Sequence, residues 1–255
     1  MGDLLPQGWT AWTLAYAAGV FLLAGGIKGL AGAGLPTVSL ALLALAVDLK
    51  QAIAVLMVPT VLTNVWQAMV GGHFVVIGRR LAPMLVAAAL GTWAGVSILV
   101  VGDAKLLSAI LGVVVFFYAV YSLATPQIPA PSPRLERWLS PPVGLATGVL
   151  FGFTGSFLVP GVLYMQSLGW RRDQFVQAMG IAFIVSTLVL WALLAWNGLF
   201  TLEVGAVSAG VCIPALVGMW SGQKLRRRLS EEKFRKVFFS ALLAIALYIV
   251  ARAFS

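Results

Sequence analysis

The sequence predicts an all-α integral membrane protein built as an inverted repeat of two halves, and three observations lead to this fold class. The chain is 61% hydrophobic and only 10% charged, whereas soluble domains carry about 25% charged residues. Its apolar stretches are long enough for a bilayer and are separated by short polar loops. A glycine pattern occurs twice along the chain. A water-soluble fold could not bury this much apolar surface, so the solvent of that surface must be lipid.

Eight apolar regions follow one another, and six of them are long enough to cross a hydrocarbon core of about 30 Å as helices of about 20 residues. These six are residues 51–70, 81–101, 105–124, 174–196, 203–221 and 236–254. The other two, 11–47 and 143–168, are interrupted by glycine and proline. The arm 158–168 would be about 16 Å long as a helix, which is too short to cross. We therefore expect each half to contain three full spans plus a broken or re-entrant helical pair.

A proline-rich segment divides the chain into its two halves. We expect residues 1–124 to form the first repeat, residues 125–140 a linker and residues 141–255 the second repeat. Glycines that keep their order and spacing in both halves support a duplication. They are Gly25, Gly29, Gly32, Gly91 and Gly95 in the first half, and Gly148, Gly152, Gly155, Gly218 and Gly222 in the second.

The distribution of basic residues predicts the orientation in the membrane. Most of the 17 Lys and Arg residues fall in every second break between apolar segments, and the longest basic run is 224–236. The positive-inside rule then assigns this run to the cytoplasm and both termini to the outside. Because each half crosses the membrane an odd number of times, the second half is inverted relative to the first. The net charge of +9 reflects this bias, and we exclude nucleic-acid binding.

The two glycine-rich breaks are the candidate binding site. Broken helices at matching positions of inverted repeats are typical of transporter binding sites. A helix that restarts after a break offers free N–H groups and a positive dipole end, which attract anions. The alternative is that the glycines only let helices pack closely. The candidate residues are Gly29, Gly32, Gly34 and Pro36 in the first break, and Thr154, Gly155, Ser156 and Pro160 in the second.

Polar residues inside the apolar segments extend this site. Lys28 immediately precedes the first break, and a lysine at membrane depth is costly and usually functional. The alternative is that Lys28 snorkels to the cytoplasmic surface. Hydroxyl and amide side chains could line an anion path, or could only join helices by hydrogen bonds worth about 0.6 kcal/mol each. These side chains are Thr60, Thr63, Asn64 and Gln67 on one helix face of the segment 51–70, with Ser186 and Thr187 in the matching region of the second half.

Enzyme chemistry finds no support in the sequence. The eight acidic residues lie in or beside loops, and His73 and Cys212 are the single histidine and cysteine. Neither a zinc-protease motif nor a nucleophile elbow nor a phosphate-binding loop is present. We expect no catalytic residue, no metal and no cofactor. Three functions stay open from the residues alone: a secondary anion transporter, a channel-like anion pathway, and a non-transporting membrane scaffold subunit.

Residues 21–36, followed by 52–64 and the second copy 148–160, resemble the TauE/SafE family of membrane permeases. The resemblance extends from about residue 14 to 252, although Phe157 stands where Gly34 stands in the first copy. It implies export of small sulfur-containing anions, such as sulfite, sulfoacetate or other sulfonates. With the inverted repeat, it predicts a multi-pass exporter of the bacterial inner membrane that works by alternating access. The expected partners are a small anionic substrate and the lipid bilayer, and a homodimer stays open.

Overall fold

The computed structural model describes residues 5–31, 34–69, 71–124, 129–225 and 231–254, and within these the regular structure is helical. Twelve helices and one short π-helical turn follow one another in these residues. They are α1 (Ala11–Ala31), α2 (Leu35–Leu43), α3 (Leu49–Val55), α4 (Met57–Met69), α5 (Phe74–Val101), α6 (Ala104–Ala124), α7 (Pro133–Thr154), the π-turn Leu158–Val162, α8 (Leu163–Ser167), α9 (Arg172–Trp196), α10 (Leu202–Gly210), α11 (Cys212–Leu225) and α12 (Glu231–Phe254).

Five helical stretches are long and apolar enough to cross a membrane, which confirms a multi-pass membrane protein. They are Ala11–Leu30, Leu49–Met69, Phe74–Val101, Asp173–Trp196 and Leu202–Leu225. Four of them cover spans expected from the sequence, and the fifth is the first arm of the interrupted region 11–47. The expected spans 105–124 and 236–254 lie within α6 and α12.

Both expected interruptions are present, but the first begins later than the sequence suggested. Helix α1 continues to Ala31, so Gly29 lies inside a helix and not in a break. Gly34 then takes the N-cap position of α2 with φ 109°. In the second half, Gly155 ends α7 with φ 67°. Both glycines occupy left-handed backbone, which other residues seldom adopt. The short arm expected at 158–168 is confirmed as the π-turn followed by α8.

Two pairs of parallel helices pack through glycine, and each pair joins a helix from one half to a helix from the other. In the α1–α11 pair, a Cβ atom at Gly25 would collide with the carbonyl oxygen of Ala215. In the α5–α7 pair, a Cβ atom at Gly148 would collide with the carbonyl oxygen of Ala88. Only glycine lets two backbones approach this closely. Equivalent contacts occur at Gly29, Gly218 and Gly222 in the first pair, and at Gly91, Gly95, Gly144 and Gly152 in the second.

Helices α4 and α9 cross in antiparallel directions between these pairs. The Gln177 side chain accepts a hydrogen bond from the backbone N–H of His73 at 3.0 Å and donates one to the carbonyl oxygen of Ala68 at 2.8 Å. One turn further along α9, Gly180 packs against the backbone of Gln67 and Ala68. Residues with higher numbers in α9 therefore lie beside residues with lower numbers in α4.

The interruption between α3 and α4 is stabilised from the other half of the chain. Pro59 has no N–H, so it cannot donate the usual hydrogen bond to the carbonyl oxygen of Val55. The Ser208 hydroxyl of α10 donates to that oxygen at 2.7 Å and accepts a hydrogen bond from the N–H of Val58 at 3.1 Å. A side chain that satisfies backbone groups freed by proline is what a helix needs at membrane depth.

Candidate functional site

A buried lysine lies at the centre of the candidate site. Lys28 belongs to the last turn of α1, and only 5% of its surface is exposed. Its Nζ atom donates to Thr63 Oγ1 at 3.0 Å and to Asn64 Oδ1 at 2.7 Å. The side chain therefore points across to α4 and does not reach out to the surface. Three residues predicted separately from the sequence form one hydrogen-bonded group.

The two acceptors of Lys28 are held in place by the backbone of their own helix. Thr63 Oγ1 donates to the carbonyl oxygen of Pro59 at 2.7 Å. Asn64 Nδ2 donates to the carbonyl oxygen of Thr60 at 2.8 Å. Both donor groups are thereby engaged, so each side chain turns an oxygen toward the ammonium group. The two oxygen atoms therefore form an arrangement that binds a cation and determines its position.

The positive charge of Lys28 has no carboxylate beside it in the described part of the chain. Both of its hydrogen-bond partners are neutral oxygen atoms. An ammonium group carries three protons, and these two acceptors use two of them. A buried charge is expensive unless it is paired with an opposite charge. An anionic ligand would supply that charge and could accept the third proton.

Arg80, on α5, provides the contrast. Its Nε and Nη2 atoms donate to the two carboxylate oxygens of Glu136 at 2.6 and 2.7 Å. The same Nη2 donates to the carbonyl oxygen of Leu168 at 3.2 Å, and the guanidinium group lies 5.2 Å from the ring centre of Trp170. The Arg80 charge is thus neutralised within the protein.

The Lys28 group lies at the middle of α4, and beyond the middle of the longer apolar stretch Leu49–Met69. Thr63 and Asn64 are about 8–9 Å from the end of that helix at Met69, at 1.5 Å per residue. This end leads into the turn 71–73, which the basic-residue distribution assigns to the cytoplasmic side. A ligand arriving from that side would have the shorter path to Lys28.

Several buried hydroxyl groups have no hydrogen-bond partner in the described residues. Among the predicted residues these are Thr60, Ser156 and Thr187, and the same is true of Ser39 and Ser186. Buried polar groups are nearly always paired, so an unpaired set points to a missing ligand or water. The antiparallel register of α4 and α9 brings Ser186 and Thr187 to the level of Thr60. Ser39 was missed from the sequence because a single serine in an apolar stretch carries no periodic signal.

The second break approaches the first half through apolar contacts. A Cβ atom at Gly155 would lie 3.0 Å from the Leu40 side chain of α2 and 3.2 Å from that of Ile53 in α3. Phe157 packs against Phe151 and Phe183, with ring centres 5.6 and 5.3 Å apart. A bulky ring therefore lies beside the second break, whereas Gly34 at the first break has no side chain, so the two breaks are not equivalent.

The remaining predicted residues have mainly structural contacts. Gly29 packs against Met219, and the Thr154 hydroxyl donates to the carbonyl oxygen of Leu150 at 2.6 Å. Pro36 lies in the first turn of α2, and Pro160 lies in the π-turn. Gln67 is buried on α4, where its backbone contacts Gly180. Gly32 lies outside the described residues.

Comparison with known proteins identifies the group to which these features belong. A protein-family model described as sulfite exporter TauE/SafE matches residues 17–249, which is nearly the whole chain. The match confirms the resemblance found in the glycine-rich segments. No curated protein and no solved structure matches the chain.

Proposed function

Because the chain belongs to the TauE/SafE family of sulfite exporters, we propose that it is a secondary transporter that exports a small, sulfur-containing anion through the Lys28 site. Sulfite, sulfoacetate and other sulfonates are the substrates to test first. The proposed location is the bacterial inner membrane, with residues 222–236 in the cytoplasm. A homodimer stays a prediction of the sequence alone.

One observation carries the proposal, namely the buried ammonium group of Lys28 beside two neutral acceptors. Such a charge is costly in the absence of an anion and favourable in its presence. The unpaired hydroxyls of Thr60, Ser186 and Thr187 could donate to the oxygen atoms of the same ligand. An inside-negative membrane potential would drive the anion outward with about 2.3 kcal/mol per charge per 100 mV. Export would then need no acidic proton relay.

Corresponding contacts in the two helix pairs support an inverted repeat and alternating access. Gly25 lies against Ala215, and its repeat partner Gly148 lies against Ala88. Ala215 precedes Gly218 by the same number of residues as Ala88 precedes Gly91, so each contact is the repeat image of the other. A pseudo-twofold relation of this kind underlies transporters whose site opens to one side at a time.

The proposal is tested by removing the charge of Lys28. We expect Lys28→Met to lower sulfite efflux from proteoliposomes at least about tenfold, since the change keeps length and apolar packing but removes the countercharge. Lys50→Met is the matched control, because the exposed Lys50 ammonium bonds only to the carbonyl oxygen of Val100 at 3.0 Å. Its efflux should stay close to that of the unaltered protein.

The same assay separates the alternatives. Saturation by sulfite and stimulation by sulfite on the opposite side indicate a carrier, whereas a channel-like pathway shows neither. A scaffold subunit shows no sulfite flux at all. Efflux by Lys28→Met at the unaltered rate, over a range of sulfite concentrations, would contradict the assignment of Lys28 to the site.

A further inference from the structure

Ser208 is a fully buried side chain that belongs to the second half but bonds only to the backbone of the first. Its single hydroxyl group donates to Val55 and accepts from Val58, at the two sides of the interruption between α3 and α4. No other described side chain bonds to either of these two backbone atoms. One oxygen atom of α10 therefore joins the last residue of α3 to the first turn of α4.

The interruption at Leu56 lies about two helical turns before the acceptors of Lys28, Thr63 and Asn64. Thr63 donates to the carbonyl oxygen of Pro59, and Asn64 donates to that of Thr60. Both carbonyl groups belong to the first turn of α4, whose start is set by the Ser208 contacts. A rotation or shift of that turn would move both acceptors together and carry Lys28 with them. Two sets of hydrogen bonds, joined by the backbone of the first turn of α4, thus connect Ser208 to the Lys28 amino group.

We propose that Ser208 is a positioning residue of the anion site: its hydroxyl holds the first turn of α4 so that Thr63 and Asn64 present their oxygen atoms to Lys28. This inference rests on the proposed function. It also links the site to α10 in the other half, so that an anion bound at Lys28 and the angle between α3 and α4 influence each other. A precise ligand geometry depends on such supporting contacts.

Sulfite binding to the purified, full-length protein tests this role. Ser208→Ala removes the hydroxyl and leaves the Val55 carbonyl oxygen and the Val58 N–H without their partner. We expect the half-saturating sulfite concentration to rise about tenfold in efflux and in sulfite-dependent thermal stabilisation, while the maximal efflux rate changes less than about threefold. Ser208→Thr, which keeps the hydroxyl, should restore most of the affinity.

A double-variant comparison distinguishes positioning from a general structural role. If Ser208 acts through Asn64, Ser208→Ala should weaken sulfite binding less than about twofold further when Asn64→Ala is already present. Ser221→Ala is the matched control, because the exposed Ser221 hydroxyl bonds only to the carbonyl oxygen of Val217 in its own helix. That variant should bind sulfite like the unaltered protein.

The outcomes separate the two proposals. Absence of any saturable sulfite binding by the unaltered protein overturns the proposed function. Saturable binding that Ser208→Ala leaves unchanged, or a fully additive effect with Asn64→Ala, overturns the role of Ser208 alone. If Ser208→Ala does not yield folded protein, Ser208→Cys keeps the size of the side chain with a weaker donor and acceptor. The same loss of affinity, in a smaller amount, is then expected, and unchanged affinity overturns the inference.

Discussion

Lys28 on α1 and Arg80 on α5 are two basic residues whose side chains have opposite kinds of partner. The Arg80 guanidinium group has two bonds to the Glu136 carboxylate, a carbonyl oxygen and an aromatic ring around it. The Lys28 ammonium group is more deeply buried, yet its partners are a hydroxyl and an amide oxygen. Among the residues that the structure describes, the more deeply buried cation is the one without a carboxylate partner.

We propose that this difference separates a structural cation from a ligand-binding cation. A paired arginine joins α5 to α7 and to the connection before α9, and its charge is satisfied whatever else binds. An unpaired lysine keeps its electrostatic demand for a ligand of opposite charge. The comparison therefore predicts that substitutions around Lys28 act on anion binding, whereas substitutions around Arg80 act on stability.

The largest effect is expected when Lys28 is given the kind of partner that Arg80 already has. Asn64→Asp introduces a carboxylate 2.7 Å from the ammonium group if the side chain keeps its position. Two opposite charges about 4 Å apart attract each other by about 4 kcal/mol at an effective dielectric constant of 20. We expect sulfite efflux to fall at least about a hundredfold, while the melting temperature stays the same or rises.

Asn197→Asp is the control for this variant, because the Asn197 amide also donates to the carbonyl oxygen one turn earlier, at 2.8 Å, but is exposed. It should leave efflux unchanged. Efflux by Asn64→Asp at the unaltered rate would show that transport does not need an unpaired ammonium group at Lys28. It would therefore contradict the proposed difference between Lys28 and Arg80.

A smaller effect is expected when one neutral acceptor is removed. Thr63→Val keeps the shape of the side chain but deletes the bond to Lys28 at 3.0 Å. Loss of one hydrogen bond of about 1 kcal/mol corresponds to about fivefold weaker sulfite binding, measured by sulfite-dependent thermal stabilisation. Thr92→Val is the comparison, since the buried Thr92 hydroxyl bonds only to the carbonyl oxygen of Ala88. Equal binding by both variants would remove Thr63 from the site.

The residues of the proposed site could be named from the sequence, whereas their arrangement could not. Lys28, Thr63 and Asn64 stand out because polar groups are rare in apolar spans, and their helical spacing places Thr63 and Asn64 on one face. Their meeting depends on the packing of α1 against α11 and of α11 against α4, which no local pattern encodes. The first break lies within the predicted segment 29–36 but begins only after Ala31, because Gly29 contacts Met219 inside α1 and does not end that helix. The sequence alone does not distinguish a glycine that allows close helix contact from a glycine that ends a helix.

The role of Ser208 could not be predicted from the sequence for a different reason. Proline at position 59 signals that a backbone carbonyl group one turn earlier needs a new donor. The sequence does not say which of the many serines and threonines supplies it, because the donor lies in the other half of the chain. The contacts of the repeated glycines could be predicted from the sequence because their signal is local. Their spacing recurs within a single helix, and the absence of a side chain allows another backbone to approach.

The smallest effect on anion binding is expected at the paired arginine. Glu136→Gln removes the negative charge beside Arg80 but keeps a side chain of the same shape. The Arg80 side chain is 40% exposed, so water can replace part of the lost interaction, and we expect a loss of about 1 kcal/mol in the free energy of unfolding. That loss should lower the melting temperature by a few degrees. Sulfite affinity should change less than about twofold, since the Lys28 site contains neither partner. A large loss of sulfite affinity without a change in melting temperature would contradict the structural role of the Arg80–Glu136 pair. It would instead indicate that this pair belongs to the anion pathway.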